Sequence, residues 1–152
     1  MAIGDLTEGG IVFYEDIRTY IAAIEDIKIP LYWGKVGVPV SGTSVAFETG
    51  ENNTANIVDL CTGNTMIAAN VCLNYSNDGY DDWFLPSAGE LNELYLVKDI
   101  IGGFDEYTNY WTSSQNTPET AWIQNFGTGI QSRLGGKDQL YKVRPIRVVA
   151  PI

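Results

Sequence analysis

Pro86, followed at once by Ser87 and three residues later by Glu90, restricts the fold of this chain more than any other feature. Proline cannot donate to a sheet and ends a strand. A serine with glutamate three positions on is the signature of a capping box, in which each side chain satisfies the other residue's backbone amide. Leu91, Leu94, Tyr95 and Val97 then supply an apolar stripe, so a helix is predicted to start at Ser87 and to bury that stripe. The residues before it, Tyr80-Asp81-Asp82-Trp83-Phe84-Leu85-Pro86, read as a strand-like aromatic run.

On the N-terminal side, residues 11–14, 21–24 and 30–33 read as strands, and the Gly-rich stretch 34–50 as loop with a short strand near Val45-Ala46-Phe47. Two helices are predicted next, over about 53–61, entered from Asn52-Asn53-Thr54, and from Thr65 to Ser76, ended by Asn77-Asp78-Gly79. Beyond the capped helix, residues 110–114, 121–126, 129–134 and 141–149 read as strands of an antiparallel meander. Strands, helices and a late meander make one α+β domain over residues 1–152. At 45% hydrophobic and 12% aromatic, the composition is that of a packed core rather than a disordered chain. No segment approaches the run of about 18 apolar residues that reads as a membrane-spanning helix.

The net charge of −10 is unevenly spread: residues 1–106 carry −13 and residues 107–152 carry +3. The late bases, Arg133, Lys137, Lys142, Arg144 and Arg147, are too few and too interleaved with apolar residues to follow a phosphate backbone, which argues against a nucleic-acid partner. They are expected instead to pair with acids of the first part within the folded domain.

The chain has no histidine. Ser-His-Asp and Cys-His catalysis, histidine-ligated zinc and a histidine proton shuttle are thereby excluded. Asp81 and Asp82 are the candidate acid pair for glycoside cleavage, but neighbours on a strand point to opposite faces and are not expected to share a substrate. Asn77, Asp78, Asp81 and Asp82 offer hard oxygen ligands for calcium without EF-hand spacing. The preferred reading is structural, with Asp82 and Trp83 tying the loop to neighbouring backbone, and no metal or cofactor is expected. Cys61 and Cys72 either form a disulfide closing a short loop, worth about 2–4 kcal/mol, or stay as small buried apolar residues. Trp83, Trp111 and Trp122 are expected in the core, while Trp33 is left between core and sugar-stacking roles.

Taken in order, the 80–86 run with Ser87-Ala88-Gly89-Glu90-Leu91, then Tyr110-Trp111-Thr112-Ser113-Ser114, Ala121-Trp122 and Val143-Arg144-Pro145-Ile146-Arg147 resemble the C-terminal domain of the Legionella collagen-like adhesin. That family has a C-type-lectin-like fold, also found in phage tail proteins and in the variable proteins of diversity-generating retroelements. Gly9-Gly10-Ile11-Val12-Phe13-Tyr14, the segment from Asn53 through Cys61 to Cys72, and Gly102-Gly103-Phe104 are similar to further parts of it. The chain departs from the family in its short run from Ile11 to Ile24, where a longer loop is expected.

The resemblance implies an antiparallel sheet with N- and C-terminal strands adjacent and two to three helices packed on it. It implies a non-enzymatic module that recognises a bacterial surface receptor, protein or glycan, within an oligomeric assembly. Carried over from the variable proteins, the binding face is Tyr107, Asn109, Gln115, Asn116, Gln124, Asn125, Gln131 and Arg133, whose alternative reading is ordinary solvated turn residues. Tyrosine gives rigid contact area and amides adaptable hydrogen bonds. The acids of the capped helix, Glu90, Glu93 and Asp99, are expected to be neutral to attachment. The opening Met1-Ala2-Ile3-Gly4-Asp5 has no secretory pattern, so a phage tail, fibre or other virion-surface protein is expected, or else a fragment of a secreted adhesin. A structural or decoration protein of the virion is the second reading. An enzyme of the formylglycine-generating type, which uses a cysteine pair, is the third.

Overall fold

The computed structural model describes residues 1–63 and 65–149. In chain order the elements are β1 (Leu6–Thr7), β2 (Gly10–Glu15), β3 (Thr19–Ala22), α1 (Gly50–Leu60), α2 (Ala68–Asn74), α3 (Ala88–Leu96), α4 (Lys98–Ile101), β4 (Asn109–Gln115), β5 (Thr120–Asn125), β6 (Gln131–Gly136) and β7 (Ile146–Val149). The architecture is α+β, with two antiparallel sheets ordered β1-β2-β3-β7 and β4-β5-β6. Two expectations are corrected. There are two sheets rather than one, and four helices rather than two or three.

The late strands explain the first correction. β4, β5 and β6 form the expected meander, but residues 141–145 make only isolated bridges, and β7 crosses to pair with β3. Tyr20↔Val148 and Ile21↔Arg147 are partners in that pairing, which sets N- and C-terminal strands side by side. Strand residues were also expected at 30–33 and 45–47, where no strand forms. Leu31 exchanges two backbone hydrogen bonds with Tyr141 and stops there, and the 44–49 loop spends its polar groups on side chains of α1 and α3.

The first helix begins at Gly50, capped at Thr49, three residues earlier than the Asn-Asn-Thr cluster suggested. Asn53 is therefore inside the helix, where its side chain bonds both the amide and the carbonyl of Ser44. The second helix is shorter than expected, ending at Asn74. α3 follows the sequence reading: Ser87 Oγ accepts from the Glu90 amide at 3.2 Å and Glu90 Oε1 from the Ser87 amide at 2.9 Å.

Packing divides into three groups of buried side chains. Phe13, Tyr20, Phe84, Leu91, Leu94, Tyr110, Phe126 and Ile146 join the first sheet, α3 and the second sheet. Trp33, Ile57, Ile67, Cys72, Trp111 and Ile123 join α1 and α2 to the second sheet. Val12, Ile21, Ala23 and Trp83 form the third. Trp83 is fully buried, edge-on to Tyr75 at 5.0 Å, with its indole N–H donating to the Tyr80 carbonyl. The aromatic run 80–86 thus acts as a packed strut, carrying only the Phe84↔Ile146 and Asn77↔Tyr80 bridges.

Candidate functional site

Two arginines of the Val143–Arg147 motif fasten the loops of the domain. Arg144 has no exposed surface; its Nε donates to Asp26 Oδ1 at 2.7 Å, and its terminal nitrogens donate to the carbonyls of Ala23 and Gly102. Its guanidinium also lies 4.0 Å from the Phe104 ring centre. The other oxygen of Asp26 accepts from the Tyr110 hydroxyl at 2.5 Å, and that hydroxyl accepts from the Asp105 amide at 2.8 Å. Burial, and then the Asp26 carboxylate, push the Tyr110 phenol far above its ordinary value, so it stays protonated. Three links of this network, to the Gly102 carbonyl, the Phe104 ring and the Asp105 amide, fall on loop 102–108 and hold it in place.

Tyr107 stands on that loop with 96% of its surface exposed. Its amide donates to Asp105 Oδ1, and Lys98 pairs with Glu106 beside it. The adjoining β5–β6 turn is equally fixed: Asn125 Oδ1 accepts from the amides of Gly127 and Thr128, at 2.8 and 3.0 Å. Gly129 has φ +78° and packs so closely on the Tyr95 ring that a Cβ there would lie 2.5 Å from it. Ile130, two-thirds exposed, completes this tip. Asn109 and Asn125 are register partners beneath it, each half-buried.

The other predicted binding residues lie elsewhere. Gln115 and Asn116 end β4 and start the turn after it, so they sit roughly 20 Å along the strand from Asn109. Gln115 is held by the amide and carbonyl of Val40 and by Lys137, while exposed Asn116 bonds Thr120 across its turn. Gln124 has no exposed surface: its Nε2 donates to Asn92 and to the Gly129 carbonyl, and its Oε1 accepts from Gln131. Gln131 in turn donates to the Ala88 carbonyl. Gln124 and Gln131 dock α3 on the sheet rather than facing outward. Arg133 is exposed on β6, an edge strand. Only Tyr107, Asn109 and Asn125 come together, and Ile130 was missed because a turn isoleucine carries no polar signal.

Elsewhere the chemistry is structural. Arg147 forms a two-pronged ion pair with Asp82, at 2.5 and 3.1 Å, and stacks on Tyr80, so Asp82 is tied to a guanidinium rather than to backbone. That pairing lowers the Asp82 pKa. Among the described residues, no group of three or more His, Cys, Asp or Glu is placed to hold a metal ion. Cys61 and Cys72 are free and buried, and burial raises the Cys72 thiol far above its usual range. Trp33 is fully buried, donating to the Thr112 carbonyl at 2.7 Å, whereas Trp122, expected in the core, is half-buried. Among the described residues, no helix is long and apolar enough to cross a membrane.

No protein-family model and no curated protein matches the sequence. Among solved structures, a fimbrial protein from Bacteroides ovatus is similar in fold, with a TM-score of 0.56 and 16% identity over 86% of this chain. The likeness covers 35% of that protein's chain, so the domain corresponds to about a third of it.

Proposed function

We propose that this chain is a non-catalytic surface-recognition domain, C-type-lectin-like and akin to the Legionella collagen-like adhesin family, that contacts a bacterial surface receptor through the tip around Tyr107. The observation that carries this reading is a nearly fully exposed tyrosine on a loop fixed by a buried Arg144–Asp26–Tyr110 network. A rigid aromatic flanked by amides loses little entropy on binding. The likeness to a fimbrial protein supports a surface appendage. A virion setting, in a tail or fibre, rests on the family resemblance alone. Burial of both cysteines weighs against the oxidase reading, which needs an accessible thiolate.

The test is attachment of the labelled domain to bacterial cells. Tyr107→Ala and Ile130→Ser should each weaken attachment by roughly tenfold or more, as truncation of an interface anchor does. Glu93→Ala and Asp99→Ala should leave it unchanged. Normal attachment by both tip variants would overturn the reading. If the tip were found packed against another subunit of an intact particle, the domain would be a structural or decoration protein instead.

A further inference from the structure

Beside Tyr107, the register of the second sheet lays four side chains in one row. Asn109 faces Asn125 across β4 and β5, and one step further on the Phe126 amide donates to the Thr108 carbonyl. That alternation makes Asn109 and Asn125 a non-hydrogen-bonded pair, the kind whose side chains stand closest, about 5 Å apart at Cβ. On the other side of Asn125, its amide donates to the Ile130 carbonyl at 3.0 Å. On the other side of Asn109, the parallel Tyr110↔Lys142 bridge brings Tyr141 alongside. Ile130, Asn125, Asn109 and Tyr141 therefore share one face of the sheet, the face on which Ile123, Trp111 and Val143 form the next, buried row. Tyr107 stands two residues before Asn109, within about 7 Å of it along the chain.

What this row leaves unused defines its ligand. Asn109 is half-buried, and its carboxamide has no hydrogen-bond partner among the described residues. Asn125 uses only its Oδ1, on the amides of Gly127 and Thr128, which leaves its Nδ2 as a donor. The backbone beneath is taken: the Asn125 amide, the Asn109 carbonyl and the Trp111 amide are all bonded across the sheet. An extended peptide finds nothing to pair with there. The flanking charges are closed as well, Lys98 on Asp99 and Glu106, and Lys142 on Asp26 and Asp105, so an ionic ligand meets no free counter-charge. Two adjacent carboxamides remain, between exposed Ile130 and the two tyrosines. A carboxamide donates and accepts at once, as a sugar hydroxyl does, and two of them side by side match neighbouring hydroxyls of one pyranose ring. The C–H face of such a ring is apolar and seats on an exposed aromatic side chain.

We propose that the receptor is an uncharged glycan, one pyranose unit of which places adjacent hydroxyls on Asn109 and Asn125 and its C–H face on Tyr107. This rests on the recognition reading above and narrows it to one class of ligand. The experiment is attachment of the labelled domain to bacterial cells left untreated, oxidised with periodate and washed, or digested with protease. Periodate cleaves vicinal diols and should lower attachment roughly tenfold or more, the loss of an anchor. Asn109→Ala should weaken attachment about tenfold, the loss of two neutral hydrogen bonds, at an unchanged melting temperature. Asn109→Ser, which keeps one donor and acceptor, should fall between the two. Raising the salt concentration should not weaken attachment to an uncharged ligand. Attachment that survives periodate, that is unchanged in both Asn109 variants, or that salt abolishes would overturn the proposal. Loss to protease alone would make the receptor a polypeptide. In each of these cases, weakened attachment by Tyr107→Ala would leave the recognition reading standing, whereas normal attachment by both tip variants would remove it.

Discussion

Glu90 was expected to close the capping box and to be neutral to attachment, and the structure makes it in addition a buried hub whose removal should cost several kcal/mol, on the order of two or three orphaned hydrogen bonds. Its Oε1 accepts from the Ser87 amide at 2.9 Å, and its Oε2 from the amides of Glu48 at 3.0 Å and Gly50 at 3.4 Å. Ser87 and Gly50 are buried, so Glu90→Ala leaves two amides with neither a partner nor water. Each such orphan costs about 1–3 kcal/mol, while the exposed Glu48 amide recovers water. Release of the carboxylate from burial offsets part of the loss, so a net cost of roughly 3 kcal/mol is expected. Glu90→Gln keeps one acceptor oxygen and should cost about half as much. Urea unfolding at neutral pH, read as a change in midpoint at constant slope, measures both. Burial also pushes the Glu90 carboxyl above its usual value, against the pull of its amide donors. A raised acid binds its proton more readily when folded. Its contribution is therefore present below the usual glutamate range and lost as pH rises through the raised value. The stability of the native chain minus that of Glu90→Gln should accordingly fall with rising pH across that window. A Glu90→Ala cost under about 0.5 kcal/mol, the size of an ordinary surface change, would refute the reasoning.

Gln124→Ala should lower stability by about 1–3 kcal/mol through the orphaned Asn92–Gln131 network, while Tyr107→Ala should change it by under about 0.5 kcal/mol; thermal melts of the pair separate docking residue from contact residue. Trp83→Ala should cost about 3–5 kcal/mol, and a soluble variant with an unchanged melting temperature would contradict its role as a strut. Lys137 is buried against Trp33, Gln115 and the Val38 carbonyl, and burial lowers its pKa from 10.5 to about 8, opposed by Cys61 and Glu119. The unfolded chain therefore holds the extra proton between those values. Stability should rise with pH across pH 8 to 10.5 relative to Lys137→Met, and a flat difference would show the ammonium to be solvated.

How much of this was legible depended on whether the signal was local. The Ser87–Glu90 box is fixed by residues three apart, so its pattern survived intact into the structure. The same local logic misplaced α1, because Asn53 looks like a cap in sequence and is used instead to hold Ser44, a contact set by the loop's path. The amides of the late strands misled in the same way. Gln124 and Asn125 are neighbours of one polarity, yet one is swallowed between sheet and helix and the other closes a turn. Nothing in residue type distinguishes them; the side of the strand that α3 covers does. Trp122, expected in the core, is half-buried, while Trp33, left open between core and sugar-stacking roles, is fully buried.

The charge asymmetry bears on how the scaffold holds the tip. Among the late bases, Arg144 goes to Asp26, Arg147 to Asp82 and Lys142 to Asp26 and Asp105. Each thus reaches an acid of the first part. Buried pairs of this kind contribute little net stability, since desolvation offsets their attraction, but they penalise any arrangement that separates the partners. Their value here is positional. Arg144 fixes the loop beneath Tyr107, and Arg147 closes β7 against the Tyr80–Asp82 turn and the Glu8 carbonyl. The motif thus makes the tip rigid, and a receptor contacting it would meet a surface already set in its bound shape.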